Sequence, residues 1–324
     1  MKRFLAIFAV LIAVIPNAEA AVSPKAMVQL AQVDNSAMGV VASGSQLMVF
    51  GNREKSGFAQ FVNGPTVDLT AGVESFVSAA TVDSTGNFYL FGASSNPIVG
   101  TLPPISGVLN PDNVVSDPVS SNKSDAVNLI YWKLDTTGKL LDTQTMSMPF
   151  ATIPYTAIVD ATGITVAGSS YNDPGSNGFV VNWNGKPTFI GKTFTSIFGI
   201  ARSSDGGVVA VGQSTDKLLA TSLKGKADGF LAKVVNGKLI SVQRSSDTAA
   251  NRSWRSASST LLLGGNSNST AVITKFNSNF TPAWTDRYPS NGGAMVATVG
   301  KVNYGAFVSM GAFKALPAWK KKNA

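Results

Sequence analysis

One short string recurs in this chain and limits what it can fold into. VDSTGNFYLFG, Val82 to Gly92, returns as VDATGITVAG, Val159 to Gly168. Before the D-x-T-G element lies an apolar stretch, VSAATVD in the first copy. After it comes a second apolar stretch that ends in glycine. Alternation of period two marks a strand, and a short polar break between two such stretches marks a tight turn. Asp83 and Asp160 can accept hydrogen bonds from their own following backbone, and Gly86 and Gly163 can take a positive φ at no steric cost. Turn geometry therefore accounts for these aspartates without assigning them a metal.

The glycine-ended strand is present six times: LMVFGN (Gly51), FYLFGA (Gly92), ITVAGS (Gly168), VVAVGQ (Gly212), LLLGGN (Gly265) and AFVSMGA (Gly311). Glycine within a strand marks a bulge or a close backbone approach. Its return at one repeat position reads as a packing demand, not as a set of ligand contacts. Each copy follows a first strand: MGVVAS, VSAATVD, TAIVDA, IFGIARS, RSASS and MVATVG. Each precedes a third: GFAQFVNG, AVNLIYWKLDTTGK, GFVVNWNGK, GFLAKVVNGK, AVITKFNSN and LPAWKKKN. Asn-Gly or Asp-x-x-Gly stands there where a hairpin needs its turn. Fourth strands TVDLTA, LLDTQTM, TFIGKTF, LISVQRS and TPAWTDRY complete the first five units.

Four short antiparallel strands in a unit of roughly 40–50 residues is the pattern of a β-propeller blade. The expectation is an all-β, six-bladed propeller spanning residues 21–324. The sixth unit has no outer strand of its own, while AMVQLAQV, Ala26 to Val33, has no unit of its own. That N-terminal strand is expected to complete the last blade and close the ring, which removes two exposed sheet edges. Seven blades is the alternative, because the interval from Gly92 to Gly168 is wide enough for another unit. Its content opposes this. Ala93 to Ser124 carries Pro97, Pro103, Pro104, Pro111 and Pro118, and proline at that density disfavours paired strands. Residues 93–124 are read as a long inserted loop.

The second unit, with VDSTGNFYLFGASS and then DAVNLIYWKLDTTGKLL, resembles the bacterial β-propeller repeat of the SBBP type. Asp228-Gly-Phe-Leu-Ala-Lys233 in the fourth unit is similar to the second half of that repeat. Units one, five and six depart from it. The resemblance implies a propeller in an exported or surface protein. It implies no reaction and no catalytic residues.

Residues 1–20 read as a cleaved signal peptide. Lys2 and Arg3 precede the apolar run Phe4 to Ile15, Pro16 breaks it, and Ala18-Glu19-Ala20 supplies the cleavage pattern. The mature protein is then secreted or extracytoplasmic and monomeric. The chain contains no Cys and no His. It therefore has no Ser-His-Asp or Cys-His arrangement, no imidazole base and no thiolate or imidazole metal ligand. No cofactor is expected; calcium has no dedicated D-x-D-x-D-G loop to hold it. The net charge is +8, which favours association with anionic polymers.

Candidate binding residues lie in the loops between second and third strands and in the links between units, which share one face of such a disc. They are Asn172 and Asp173 in SSYNDPGSN, Asp216, Lys217, Lys224 and Lys226 in QSTDKLLATSLKGKAD, and Arg252 and Trp254 in SDTAANRSW. Trp254 can equally pack between blades, and a trio of lysines can equally be a solvated surface. The partner expected is an envelope protein, glycan or anionic polymer. Nucleic acid is not expected, since Lys and Arg are scattered and no nucleic-acid motif is present. Two alternatives remain. One is a polysaccharide hydrolase or lyase using carboxylates among Asp112, Asp117, Asp173, Asp216 and Asp228. The other is a self-assembling surface scaffold.

Overall fold

The structure is a computed structural model that describes residues 36–96, 126–173, 175–203, 205–246, 249–299 and 302–308. Every regular element in it is a strand. Sheet one holds β1 (Ser36–Ser43), β2 (Gln46–Arg53), β3 (Ser56–Phe61) and β4 (Thr66–Leu69). Sheet two holds β5 (Ser75–Val82), β6 (Phe88–Ser94), β7 (Asn128–Leu134) and β8 (Leu140–Ser147). Sheet three holds β9 (Ala151–Asp160), β10 (Gly163–Asn172), β11 (Gly175–Asn182) and β12 (Thr188–Ile190). Sheet four holds β13 (Thr195–Arg202), β14 (Val208–Ser214), β15 (Asp228–Val235) and β16 (Lys238–Ser245). Sheet five holds β17 (Arg252–Ala257), β18 (Leu262–Ser267), β19 (Thr270–Phe276) and β20 (Pro282–Pro289). The hairpin of β21 (Met295–Val299) and β22 (Val302–Ala306) follows. Each four-stranded sheet is an antiparallel meander in chain order. First strands lie beside first strands, β1 on β5, β5 on β9, β9 on β13, β13 on β17 and β17 on β21. They form the inner edge of the stack.

The turns obey the local rules. Asp83 Oδ1 accepts from the Thr85 amide at 2.9 Å, the Thr85 hydroxyl at 2.7 Å and the Asn87 amide at 3.0 Å. Asp160 does the same for Thr162, and Asp135 does so for Thr137 and Lys139. Gly86 and Gly163 have φ of 92° and 108°. Asn236 and Gly237 make the two-residue turn between β15 and β16 with φ of 49° and 70°, the double left-handed geometry that Asn-Gly suits.

Packing between sheets supplies the core. Phe88 and Leu90 of β6 face sheet one, among Met48, Phe61 and Leu69. Tyr89 and Phe91 of the same strand face sheet three, among Val166, Phe179 and Val181. Val208 and Ala210 of β14 face sheet three, and Val209 and Val211 face sheet five. A strand buried on both faces reads as a continuous apolar run. FYLFG, expected above to alternate, is such a run, and every residue of β6 is buried.

The outermost sheets differ. Along β1, Met38 and Val40 are 53% and 65% exposed, and all of β22 is exposed. The last hairpin also begins its second strand earlier than expected, at Val302. Gly311, the third strand LPAWKKKN, the closing strand Ala26–Val33 and the signal peptide all lie outside the described residues. So do residues 97–124 of the insertion; its first residues, Ala93 and Ser94, belong to β6, and Ser94 pairs directly with Asn128. Among the described residues no helix is long and apolar enough to cross a membrane.

Candidate functional site

The repeat glycines and the site have one origin. In each sheet the first strand carries one extra residue opposite the glycine-ended strand: Met38, Ser78, Tyr155, Phe198 and Arg255. This is a β-bulge, which leaves one residue out of the ladder and re-aims its side chain. The bulge also presses a first-strand carbonyl onto the facing glycine. A Cβ at Gly92 would sit 1.7 Å from Phe76 O, and one at Gly212 would sit 1.8 Å from Ser196 O. Gly51, Gly168 and Gly265 meet Ser36 O, Ile153 O and Ser253 O in the same way.

The bulge residues meet across neighbouring sheets. The Tyr155 and Phe198 rings lie 5.3 Å apart, and the Arg255 guanidinium sits 4.6 Å from the Phe198 ring centroid. Ser78 donates to the carbonyl of Pro154, beside Tyr155. Met38, Ser78 and Tyr155 line a cavity of about 330 Å³. Asn52, Arg53, Glu54, Glu74, Ser75 and Ile153 share its wall, as do Ser95 and Ala126, the flanks of the insertion. The Tyr155 and Tyr171 hydroxyls are 3.2 Å apart. Burial raises the Tyr155 pKa, as does its bond to Tyr171, so this phenol stays protonated at neutral pH. The group offers aromatic faces, hydroxyl donors and one cation at the inner edge of the sheets. Its chemistry suits non-covalent recognition.

The sequence-derived candidates do not converge there. Asn172 and Asp173 sit at the tip of the β10–β11 hairpin; Tyr171, one residue earlier, is the one that reaches Tyr155. Lys217, Lys224 and Lys226 are exposed. Arg252 is buried with its guanidinium 4.8 Å from the Trp254 ring. Trp254 is fully buried and packs edge-on to Phe276 at 5.7 Å. Asp228 is buried, and its carboxylate accepts from the Lys224 and Gly225 amides and pairs with Arg244 at 3.2 Å. Asp112 and Asp117 lie outside the described residues. The bulge residues escaped sequence reading because nothing local distinguishes the extra residue from its neighbours. The one available signal was the glycine facing it.

Asp216 is a brace. It is buried, and its carboxylate accepts from the amides of Lys192, Thr193 and Phe194 and from the hydroxyls of Thr193 and Thr195. Burial alone would raise its pKa, but these donated bonds outweigh it and hold the carboxyl at about 2. Asp160 is also held at about 2, chiefly by Arg202 at 2.7 Å. A depressed folded-state pKa adds stability above the unfolded value, 3.8, and loses it as pH falls through the folded value. For Asp216 the gap is worth about 2 kcal/mol. Thermal melts should therefore fall steeply from pH 4 to pH 2, and Asp216→Asn should flatten that fall. An unchanged acid profile in the variant would remove this role.

At the opposite end of the sheets a second cavity, of about 450 Å³, lies between sheets three and four and carries Lys186 and Lys238. Among the described residues no three acidic side chains come together to hold a metal ion.

No protein-family model matches the sequence, and no curated protein matches it. Solved structures with similar strand layout include virginiamycin B lyase from Staphylococcus aureus, at 11% identity and a TM-score of 0.40, covering 86% of this chain and 94% of that one. A protein of unknown function from Bacteroides caccae matches at 11% identity and a TM-score of 0.41, with 84% and 83% covered. A mutant apocarotenoid oxygenase from Synechocystis matches at 8% identity and a TM-score of 0.44, with 79% and 60% covered. Likenesses this distant carry nothing over to the side chains described above.

Proposed function

We propose that this chain is an exported, non-catalytic β-propeller of six blades that binds a component of the cell envelope at the inner end of its sheets. One observation carries the binding part: five bulges in five successive sheets bring Met38, Ser78, Tyr155, Phe198 and Arg255 to one edge, beside a cavity. Rigid strands hold these groups, and variable loops surround them, which is how binding sites on repeat scaffolds are built. Export rests on the leader, and the SBBP resemblance agrees with it. The exposed lysines of the Gln213–Asp228 loop would add a salt-sensitive attraction to anionic polymers.

Ring closure is part of this reading. Met38 and Val40 of β1 and Met295 of β21 are exposed, while the apolar residues of the first strands between them are buried or half buried. A closed ring would cover both strands, with Ala26–Val33 as the last outer strand. Deleting residues 26–33 is expected to lower the melting temperature by more than about 10 °C, on the order of 6 kcal/mol for a chain this long. A deletion variant that melts with the parent would refute closure by this segment.

Purified residues 21–324 should capture material from the producing cell's envelope. Capture that is lost when Lys217, Lys224 and Lys226 are changed to Gln assigns the contact to the lysine loop, and capture that is lost in Phe198→Ala assigns it to the bulge site. No capture by the parent overturns the binding reading. A second reading, carboxylate catalysis, draws on Glu54 and Glu74, which line the same cavity. Polysaccharide turnover by the parent that is lost in Glu74→Gln would establish it.

A further inference from the structure

We infer that the bulge site takes a short saccharide carrying a single carboxylate, such as a uronic acid linked to a neutral sugar. This rests on the binding reading above and narrows its ligand. Arg255 supplies the first observation. It is exposed, its guanidinium carbon lies 4.6 Å from the Phe198 ring centroid, and it belongs to none of the ion pairs among the described residues, which use Arg53, Lys133, Arg202, Lys233 and Arg244. A guanidinium fixed on an aromatic face presents its outer N–H groups as a fork matched to a carboxylate.

The adjoining surfaces suit a sugar ring. The Tyr155 and Phe198 rings offer a face for its C–H groups. The Tyr155 hydroxyl is bonded to Tyr171 and to Ser169, and the exposed Tyr171 hydroxyl gives the rings a polar edge. The cavity's volume lies at the small end of the range for small-molecule sites, about 300–1,000 Å³.

Glu54 and Glu74 restrict the charge. They line the cavity together with Arg53, whose guanidinium is already paired with Asp68 at 2.6 Å, while Arg255 lies beyond Phe198. A second carboxylate extending into the cavity would meet like charge. The site therefore selects one acid at the Arg255 end and neutral sugar at the other.

The test is calorimetric titration of residues 21–324 with cellobiouronic acid and with its neutral twin, cellobiose. The acid should bind at least tenfold more tightly. Arg255→Gln should erase that preference, Arg255→Lys should keep part of it, and Phe198→Leu should weaken both sugars. Melting curves of the variants confirm that they fold. Equal binding of acid and neutral sugar by the parent, or a preference that survives Arg255→Gln, overturns the inference. The envelope capture run in parallel separates the two failures: capture without acid preference defeats the ligand class alone, and absence of both defeats the binding reading as well.

Discussion

Gly92→Ala should destabilise the protein by more than about 3 kcal/mol, beyond the usual range for an overpacked core position. The new Cβ would lie 1.7 Å from Phe76 O and 2.7 Å from Phe76 C. Both are backbone atoms of β5, so no side chain can rotate away. Either β5 and β6 separate, with loss of the Val77–Gly92 pairing, or the bulge at Ser78 straightens. A straightened bulge turns the side chains beyond it to the other face of the sheet. Ala80 and Val82 pack between sheets one and two and Ala79 between sheets two and three, so neither outcome is cheap. Gly212→Ala, facing Ser196 O, should behave alike. Gly292→Ala is the control, because nothing lies within 4 Å of a Cβ there and its φ is not in the left-handed range. Thermal melts of the three variants are the measurement. If Gly92→Ala melts with Gly292→Ala, the bulge does not impose glycine.

The second large effect is expected at Asp228. Its carboxylate pairs with Arg244 at 3.2 Å, and both side chains are almost wholly buried. Arg244 also donates to the carbonyls of Ser214 and Asp216. The network ties both ends of the loop between β14 and β15, because Asp228 holds the Lys224 and Gly225 amides as well. Asp228→Ala leaves a buried cation without its partner and two amides without an acceptor. Removing one member of a buried pair costs about 3–5 kcal/mol. Replacing both members by apolar residues, as in Asp228→Leu with Arg244→Met, should recover part of that loss, since well-packed apolar residues can replace a buried pair at little cost. Hydrogen exchange in residues 215–227 should rise in the single variant. A single variant with parental stability would show that the pair is not coupled to the loop.

These two cases show different degrees of legibility in the chain. Gly92 was readable as a site of close approach because its position repeats. Asp228 was read as a loop-face carboxylate open to catalysis, and Asp216 as a binding residue. Both are buried and bonded to the backbone around them. Nothing within a few residues of Asp216 announces this, because its donors come from Lys192, Thr193, Phe194 and Thr195, in and beside the link between sheets three and four; Asp228 bonds the nearby Lys224 and Gly225 amides, but its cation, Arg244, comes from the neighbouring strand. Trp254 shows the same ambiguity resolved: its ring is held between sheets four and five among Leu231, Val272 and Phe276.

The amino-acid sequence by itself determined the strands, their order, the Asp-x-Thr-Gly turns and the repeating glycines. Each depends on contacts between residues adjacent in the chain or one hairpin apart, and such contacts leave a periodic trace. Only the tertiary structure decided which residues meet at the inner edge. Met38, Ser78, Tyr155, Phe198 and Arg255 share no residue type, and each comes from a different sheet. What unites them is a place in the ladder where one residue has no partner, and the direction it then takes is set by the sheet beside it.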